Sequence, residues 1–379
     1  MQDPLPTIDS RFGARLTIDL AALAANWLDL AGRVAPAECA AVVKADAYGT
    51  RLERAVDALA RVGARTFFVA HATEGLRVRG RAPAARVFVL NGLPPGFAAD
   101  FAENDLAPVL GSVPEIEDWA DAARMLGRPL ACALHVDTGL NRLGLSLAEA
   151  AEIAADTRLT SALDVRVLIT HLACADEPDH PATARQAERF AEARALFPQA
   201  RFPGLAASIA NSAGIFRDQA LHADLVRPGA ALYGGAVSTG EPSPMRPVVE
   251  LEARVIQVRD VAAGDSVGYG AAEHVARPSR VAILSAGYAD GYHRLASSSD
   301  DRPGGHVAFD GRRAPIVGRL SMDLMAVDVT DMPAVARGTP ATLIGPGAAL
   351  ADIARAMGTI DYEVLTSLGR RYERVWREA

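Results

Sequence analysis

Lysine is almost absent. The 379 residues hold one, Lys44, beside 38 arginines. Basic residues total 39 and acidic residues 46, a net charge of −7, so the positive excess of a nucleic-acid binder or polybasic membrane anchor is missing. No apolar run approaches the roughly 20 residues that a membrane-spanning helix requires. Residues 1–15 lack the apolar core of a secretory signal. Cysteine is scarce: Cys39, Cys132 and Cys174 are an odd number without CxxC spacing, which reads as reduced, buried thiols. The eight histidines (71, 135, 171, 180, 222, 274, 293, 306) show neither HxH nor HExxH spacing, which argues against zinc. No lysine follows a glycine, so the GxxxxGK[ST] phosphate loop is excluded. These absences describe a cytoplasmic protein that engages neither nucleic acid nor membrane.

What is present is ordinary for a globular chain, with 50% apolar and 22% charged residues. The length suits two domains. The lone lysine admits two readings. One is mutational bias, since alanine, arginine and glycine are all abundant. The other is that arginine cannot do its work: a guanidinium stays protonated, whereas an amine can lose its proton and condense with a carbonyl. Composition does not choose between them.

Short apolar runs at 39–45, 65–71, 86–92, 106–112, 130–139, 164–172, 204–212 and 223–229 alternate with segments of helical spacing such as 52–62, 113–125, 147–156 and 183–196. Eight continuous apolar strands, each followed by a helix, predict a (β/α)8 barrel over residues 12–240. A doubly wound open sheet is the rival, but no GxGxxG follows the first strand. Residues 238–247 are rich in Ser, Pro and Gly and read as a linker. Beyond them, alternating runs at 248–259, 280–286, 313–317 and 326–329, separated by turn residues such as Asp-Gly at 310–311, predict a mostly β domain over 241–379. Short helices are expected at 351–357 and 362–368.

On that barrel the polar residues gather at one end. Lys44 ends the first strand, Arg142 follows the fifth, and His171 ends the sixth. Asn211 and Ser212 end the seventh, and Arg227 the eighth. Barrel enzymes build their sites from strand ends on this face. Taken singly, each has a plain structural explanation, a solvated loop charge or a packed histidine. The loops SIANSAG (208–214) and RPGAALYGG (227–235) are small enough for backbone N–H groups to approach a phosphate. A phosphate site facing a unique lysine suggests pyridoxal 5′-phosphate.

VVKADAYG (42–49) resembles the pyridoxal-lysine signature of the alanine racemase family. HVDTGLNRLG (135–144), THLA (170–173), ANSAG (210–214), VRPG (226–229), VGYG (267–270), AGYADG (286–291), GRLSMD (318–323) and DYEV (361–364) follow in that family's order. The resemblance covers nearly the whole chain. It implies a barrel followed by a β domain, a head-to-tail homodimer, and interconversion of L- and D-alanine for peptidoglycan. It further implies that Lys44 carries the cofactor and serves one face of the substrate Cα, with Tyr269 of the partner serving the other. Tyr48, Ser212, Gly229, Ala230 and Tyr362 would hold the phosphate, with Asn211 beside them. His171 would lie along the pyridine ring, and Arg227 would meet its nitrogen. Arg142 would bond the phenolic oxygen and Met322 the substrate carboxylate. Tyr288 and Asp323 would line the access path.

Many relatives carry a carbamylated lysine where this chain has His135; here His135, with Asp137 or a bound anion, is expected to orient Arg142. GDSVG (264–268) matches the hydrolase GxSxG, but its place in a β-domain turn argues against a nucleophile elbow. Alternatives on the same scaffold are a serine, lysine or broad-specificity racemase and, more distantly, a decarboxylase.

Overall fold

The structure is a computed structural model that describes residues 8–378. Two compact units divide it: Leu23–Arg246, and the stretch up to Ala22 together with Pro247 onward.

Regular structure opens with β1 (Ala14–Asp19) and the helix Leu20–Val34. The Leu23–Arg246 unit contains β2 (Glu38–Cys39), β3 (Ala41–Val42), β4 (Thr66–Val69), β5 (Arg86–Val89), β6 (Ala107–Leu110), β7 (Leu130–His135), β8 (Leu163–Ile169), β9 (Ala206–Ser208) and β10 (Leu225–Val226). Strands β3 to β9 pair in parallel and in sequence order, and β10 pairs with β2. β2 and β3 are two halves of one strand interrupted at Ala40, whose N–H donates to Val226 O at 3.0 Å. On the other side of β10, Asp224 N donates to Ala207 O and Arg227 N to Ala210 O, each at 3.0 Å. Eight parallel strands therefore close into a ring, as the apolar runs predict.

Alternation within each strand explains why those runs are continuous. Ala40, Val42, Phe68, Phe88, Ala107, Val109, Ala133, Val167, Ile169 and Leu225 pack together on one face of the sheet. Their neighbours Phe67, Val69, Val87, Leu110, Leu134 and Leu168 are buried as well. Both faces of a parallel sheet are covered, so neither needs polar residues. The surrounding helices carry their own stop and start signals. Leu147–Ala155 begins with a Ser146–Glu149 capping box, and Val113–Leu126 ends at Gly127 in the left-handed region.

The second unit holds β11 (Val249–Val261), β12 (Ser279–Leu284), β13 (His306–Phe309), β14 (Arg312–Pro315), β15 (Met325–Asp328), β16 (Pro340–Ile344) and β17 (Glu373–Arg377), with short helices Leu350–Ala356 and Asp361–Ser367. Asp310 (φ 47) and Gly311 (φ 78) form the tight turn of the β13–β14 hairpin. One boundary differs from the sequence reading. Residues 12–22, expected in the barrel, belong with this unit: β1 runs antiparallel to β11 and parallel to β17. Leu16 and Ile18 are fully buried there, and Arg15 pairs with Glu373 at 2.9 Å. Both pairing partners lie more than two hundred residues away in sequence, so no local signal announces them.

GDSVG forms no strand-to-helix elbow. Gly264 N donates to Val275 O at 2.8 Å and Ser266 bridges antiparallel to His274, so the serine sits in a β loop. Among the described residues no helix is long and apolar enough to cross a membrane, and no group of three His, Cys, Asp or Glu side chains is placed to hold a metal ion.

Phe88 is 1% exposed and stacks on Phe68 with ring centroids 5.0 Å apart. Phe88→Ala is expected to cost about 3–5 kcal/mol, read as a lower urea midpoint of unfolding.

Candidate active site

Within the barrel unit, the strand ends bring the sequence-predicted groups together. Lys44 lies two residues past β3, His135 closes β7, His171 lies two residues past β8, and Arg227 directly follows β10. Their mutual influence shows in their proton affinities. His171 is lowered from 6.5 to about 3, first by desolvation, then by the charges of Arg227, Arg142 and Lys44. His135 is lowered to about 4 by desolvation and by Arg227 and Arg142, against the opposing charge of Asp137. The Lys44 amine is pushed below its ordinary 10.5 by burial and by Arg142, with Glu74 acting in the other direction. Burial and the cations crowding the barrel mouth lower the proton affinity of all three groups.

Arg227 is buried, and burial lowers it to about 10, which leaves it protonated at neutral pH. It donates to the hydroxyl of Ser208 and, at 2.6 Å, to Thr170 O. A second network steadies the His171 loop: Thr138 and Thr170 hydroxyls bond at 2.8 Å, and Gln186 donates to His171 O while accepting from Ala173 N, both at 2.9 Å. Ser208 and Thr170 open the SIANSAG and THLA motifs but receive no role from the sequence, and Gln186 lies outside every motif. Asp137 ties its own loop, accepting from Gly139 N, Leu140 N and Asn141 N at 2.9–3.1 Å. It thereby shapes the backbone that carries Arg142, with no hydrogen bond or ion pair to the Arg142 side chain.

The seventh and eighth loops are joined by Ser212, whose hydroxyl accepts from Gly229 N at 2.9 Å and Ala231 N at 3.1 Å. Its own proton is left to donate outward. Asn211 instead caps the following turn, accepting from Gly214 N at 3.0 Å. A Cβ at Gly229 would lie 2.3 Å from the Tyr48 hydroxyl, so that position has to be glycine. The Tyr48 ring stacks on Tyr233, which in turn donates to Val42 O at 3.2 Å. Two hydroxyls and a glycine-lined loop therefore share one corner, a donor set that suits a phosphate.

Lys44 and Tyr48 bracket an unusual stretch. Ala45, Asp46 and Ala47 sit at φ 54–55 and ψ 44–53, and Tyr48 at φ 54, a left-handed turn without a glycine inside it. Each such residue costs roughly 1–2 kcal/mol relative to the right-handed form. The turn puts the amine of Lys44 and the hydroxyl of Tyr48 on the same barrel mouth.

The second unit supplies a separate set. Tyr269 is 69% exposed on a turn between Gly268 (φ 80) and Gly270 (φ 76). Gly268 pairs with Arg319 as a parallel bridge, and a Cβ on Gly270 would lie 2.6 Å from the Arg319 guanidinium. The same 318–323 segment accepts from Tyr288 N through Ser321 O at 3.1 Å and from Ala289 N through Met322 O at 2.9 Å. Arg371 then bridges Asp323 at 2.8 Å and Asp290 at 3.1 Å. Tyr269, Tyr288, Met322 and Asp323 are thus braced by one segment, with Met322 54% exposed. Tyr362 lies on the helix Asp361–Ser367, also exposed.

Because His135 and His171 fall below the 6.5 of the unfolded chain, the unfolded state takes up protons first as pH falls. Their contribution to stability is fully present above pH 6.5 and is lost as pH drops toward 4 and 3. Imidazole NMR shifts should show neither ring titrating between about pH 5.5 and 8, and unfolding by urea should become easier below that range.

Comparison with known proteins gives this arrangement a family. The family model "Alanine racemase, N-terminal domain" matches residues 18–237, and "Alanine racemase, C-terminal domain" matches 248–376. The alanine racemase of Methylobacterium sp. (strain 4-46) is 52% identical over 98% of this chain and 99% of its own. The biosynthetic alanine racemase of Agrobacterium fabrum is 46% identical over 95% of this chain and 93% of its own. In three dimensions the chain superposes on the Bartonella henselae alanine racemase with covalently bound pyridoxal phosphate, with TM-score 0.90 and 38% identity, covering 96% of this chain and 99% of that one. The barrel with its cationic mouth and the braced β unit are those of an isomerase, and the chain belongs to the alanine racemase family.

Proposed function

We propose that the protein interconverts L- and D-alanine with two opposed bases, Lys44 of one protomer and Tyr269 of its partner, at a pyridoxal 5′-phosphate site. The observation that carries this reading is the single lysine, set at the barrel mouth with its proton affinity lowered by burial and Arg142. The residues fit the cofactor. Tyr48, Ser212, Gly229, Ala230 and Tyr362 would hold the phosphate, and Lys44 is the one side-chain amine that can join the aldehyde. Bound there, the cofactor supplies a ring that accepts the electron pair left when the Cα proton departs.

The protein's part is to move that proton. Lys44 Nζ takes or returns it on the D-face, and Tyr269 Oη does so on the L-face, so one base removes while the other delivers. A free lysine side chain titrates near 10, and burial together with Arg142 favours the deprotonated form of Lys44. Arg142 would pair with the phenolic oxygen and steady the substrate carboxylate, aided by the Met322 N–H. His171, held neutral, would pack along the ring. Arg227 would offer the ring nitrogen only a donor, keeping it unprotonated and limiting the charge stored there. That arrangement favours prompt return of the proton over transamination. His135, also held neutral, backs the Arg142 loop together with Asp137. Tyr288 and Asp323 would line the access path.

The exposure of Tyr269, Tyr288 and Met322, on three stretches of the β unit braced against one another, supports a homodimer in which a second copy covers this aromatic and apolar surface. In this reading residues 241–379 complete the partner's site, over a barrel domain that ends near residue 240, and the enzyme supplies D-alanine for peptidoglycan from the cytoplasm.

Mixing two inactive variants tests the shared site. Lys44→Ala and Tyr269→Phe should each lose at least a hundredfold in racemisation of L-alanine. Subunit exchange between them should restore up to about one quarter of wild-type turnover, because each mixed dimer rebuilds one intact site. No recovery after verified exchange contradicts it. Turnover of L-serine at or above that of L-alanine would contradict the substrate.

A further inference from the structure

The left-handed turn after Lys44 needs an external restraint, because alanine, aspartate and tyrosine gain nothing from that conformation by themselves. The turn's internal bonds, Ala47 N to Val43 O and Gly49 N to Ala45 O at 2.9 Å each, would be available to a right-handed turn as well. What distinguishes it is Asp46. Its carboxylate accepts from Arg77 at 2.5 Å, from Leu52 N at 3.1 Å and from Arg51 at 3.3 Å. Its backbone N–H donates to Glu74 at 3.3 Å. Glu74 is itself fixed, accepting from Ala70 N at 2.9 Å and His71 N at 3.3 Å at the start of the helix Ala72–Arg81. Arg77, on the same helix, turns its remaining donors to Glu53 at 2.6 and 2.8 Å. Asp46 is therefore tied to the starts of two helices, Leu52–Arg61 and Ala72–Arg81, from both its side chain and its backbone.

We propose that Asp46 and Arg77 are positioning residues: their ion pair, backed by Glu53 and Glu74, holds the chain in the left-handed turn that aims Lys44 and Tyr48 together at the cofactor. An isolated exposed ion pair contributes little. This one is part of a multidentate network, with Arg77 shared between two carboxylates and Asp46 receiving three donors. The inference rests on the assignment of Lys44 as the cofactor-bearing lysine.

The backbone makes the proposal testable by rescue. Ala45 is exposed, and its Cβ opposes the left-handed form. Glycine there removes that opposition. In the cofactor-loaded enzyme, Arg77→Ala and Asp46→Ala should each lower kcat about tenfold or more, with a smaller change in KM. The circular dichroism of the bound cofactor's visible band should change, because its attachment point is displaced. Arg77→Lys should fall between Arg77→Ala and wild type. Adding Ala45→Gly to either alanine variant should recover roughly fivefold of kcat and restore the visible band. Undiminished kcat in Arg77→Ala overturns the proposal, and so does a loss that Ala45→Gly leaves unchanged. If an alanine variant fails to fold, the comparison of Arg77→Lys with Arg77→Lys/Ala45→Gly gives the same decision. Borohydride reduction and peptide mapping of the wild-type holoenzyme keeps the two claims apart: cofactor absent from Lys44 refutes the assignment of the lysine, whatever the turn variants do.

Discussion

A lysine amine shares a closed barrel mouth with two guanidiniums. Burial penalises its charge, Arg142 repels its proton, and only Glu74 acts in the other direction. The remaining features of the barrel unit follow from keeping that cluster of cations in place. Arg227 stays charged because Ser208 and the Thr170 carbonyl accept its donors inside the protein. His135 and His171 stay neutral because burial first, and then those cations, disfavour a further proton. Ser212 and the glycine-lined eighth loop complete a pocket whose donors invite an anion. In the proposed reading, a mouth so rich in cations suits a ligand that brings phosphate, phenolate and carboxylate with it.

The β unit answers a different need. In the proposed two-base reading, the base opposite Lys44 comes from this unit rather than from the barrel strand ends. Tyr269 is held out on a turn whose flanking glycines take positive φ and whose backbone is strapped to Arg319. The segment around Arg319 also carries the backbone of Met322 and the anchor for the Tyr288 turn. Such rigid support beneath an exposed aromatic group is consistent with the proposed contribution of Tyr269 to a second copy.

Much of this is legible in the chain. Lys44 stands out because arginine has taken every other basic position, and only an amine can do covalent chemistry there. The eight barrel strands are legible because both faces of a parallel sheet are buried, which writes an unbroken apolar run. The Asp310-Gly311 hairpin is legible because its turn demands positive φ. What escapes is whatever depends on distant partners. β1 reads as the start of the barrel until β11 and β17 are seen beside it. Asp46, Arg77 and Gln186 look like ordinary surface polar residues, and their roles exist only through hydrogen bonds across loops. The bonds by which Asp137 ties down the loop carrying Arg142 likewise involve backbone geometry that the motif does not spell out.

The central claim is that this site depresses the proton affinity of Lys44, and a single lysine makes the measurement clean. In the cofactor-free protein, selective 15N labelling of lysine yields one Nζ resonance, whose titration reports this amine alone. The account predicts a midpoint below the ordinary 10.5 and an upward move in Arg142→Gln. A midpoint at or above 10.5 that ignores the removal of Arg142 would contradict it.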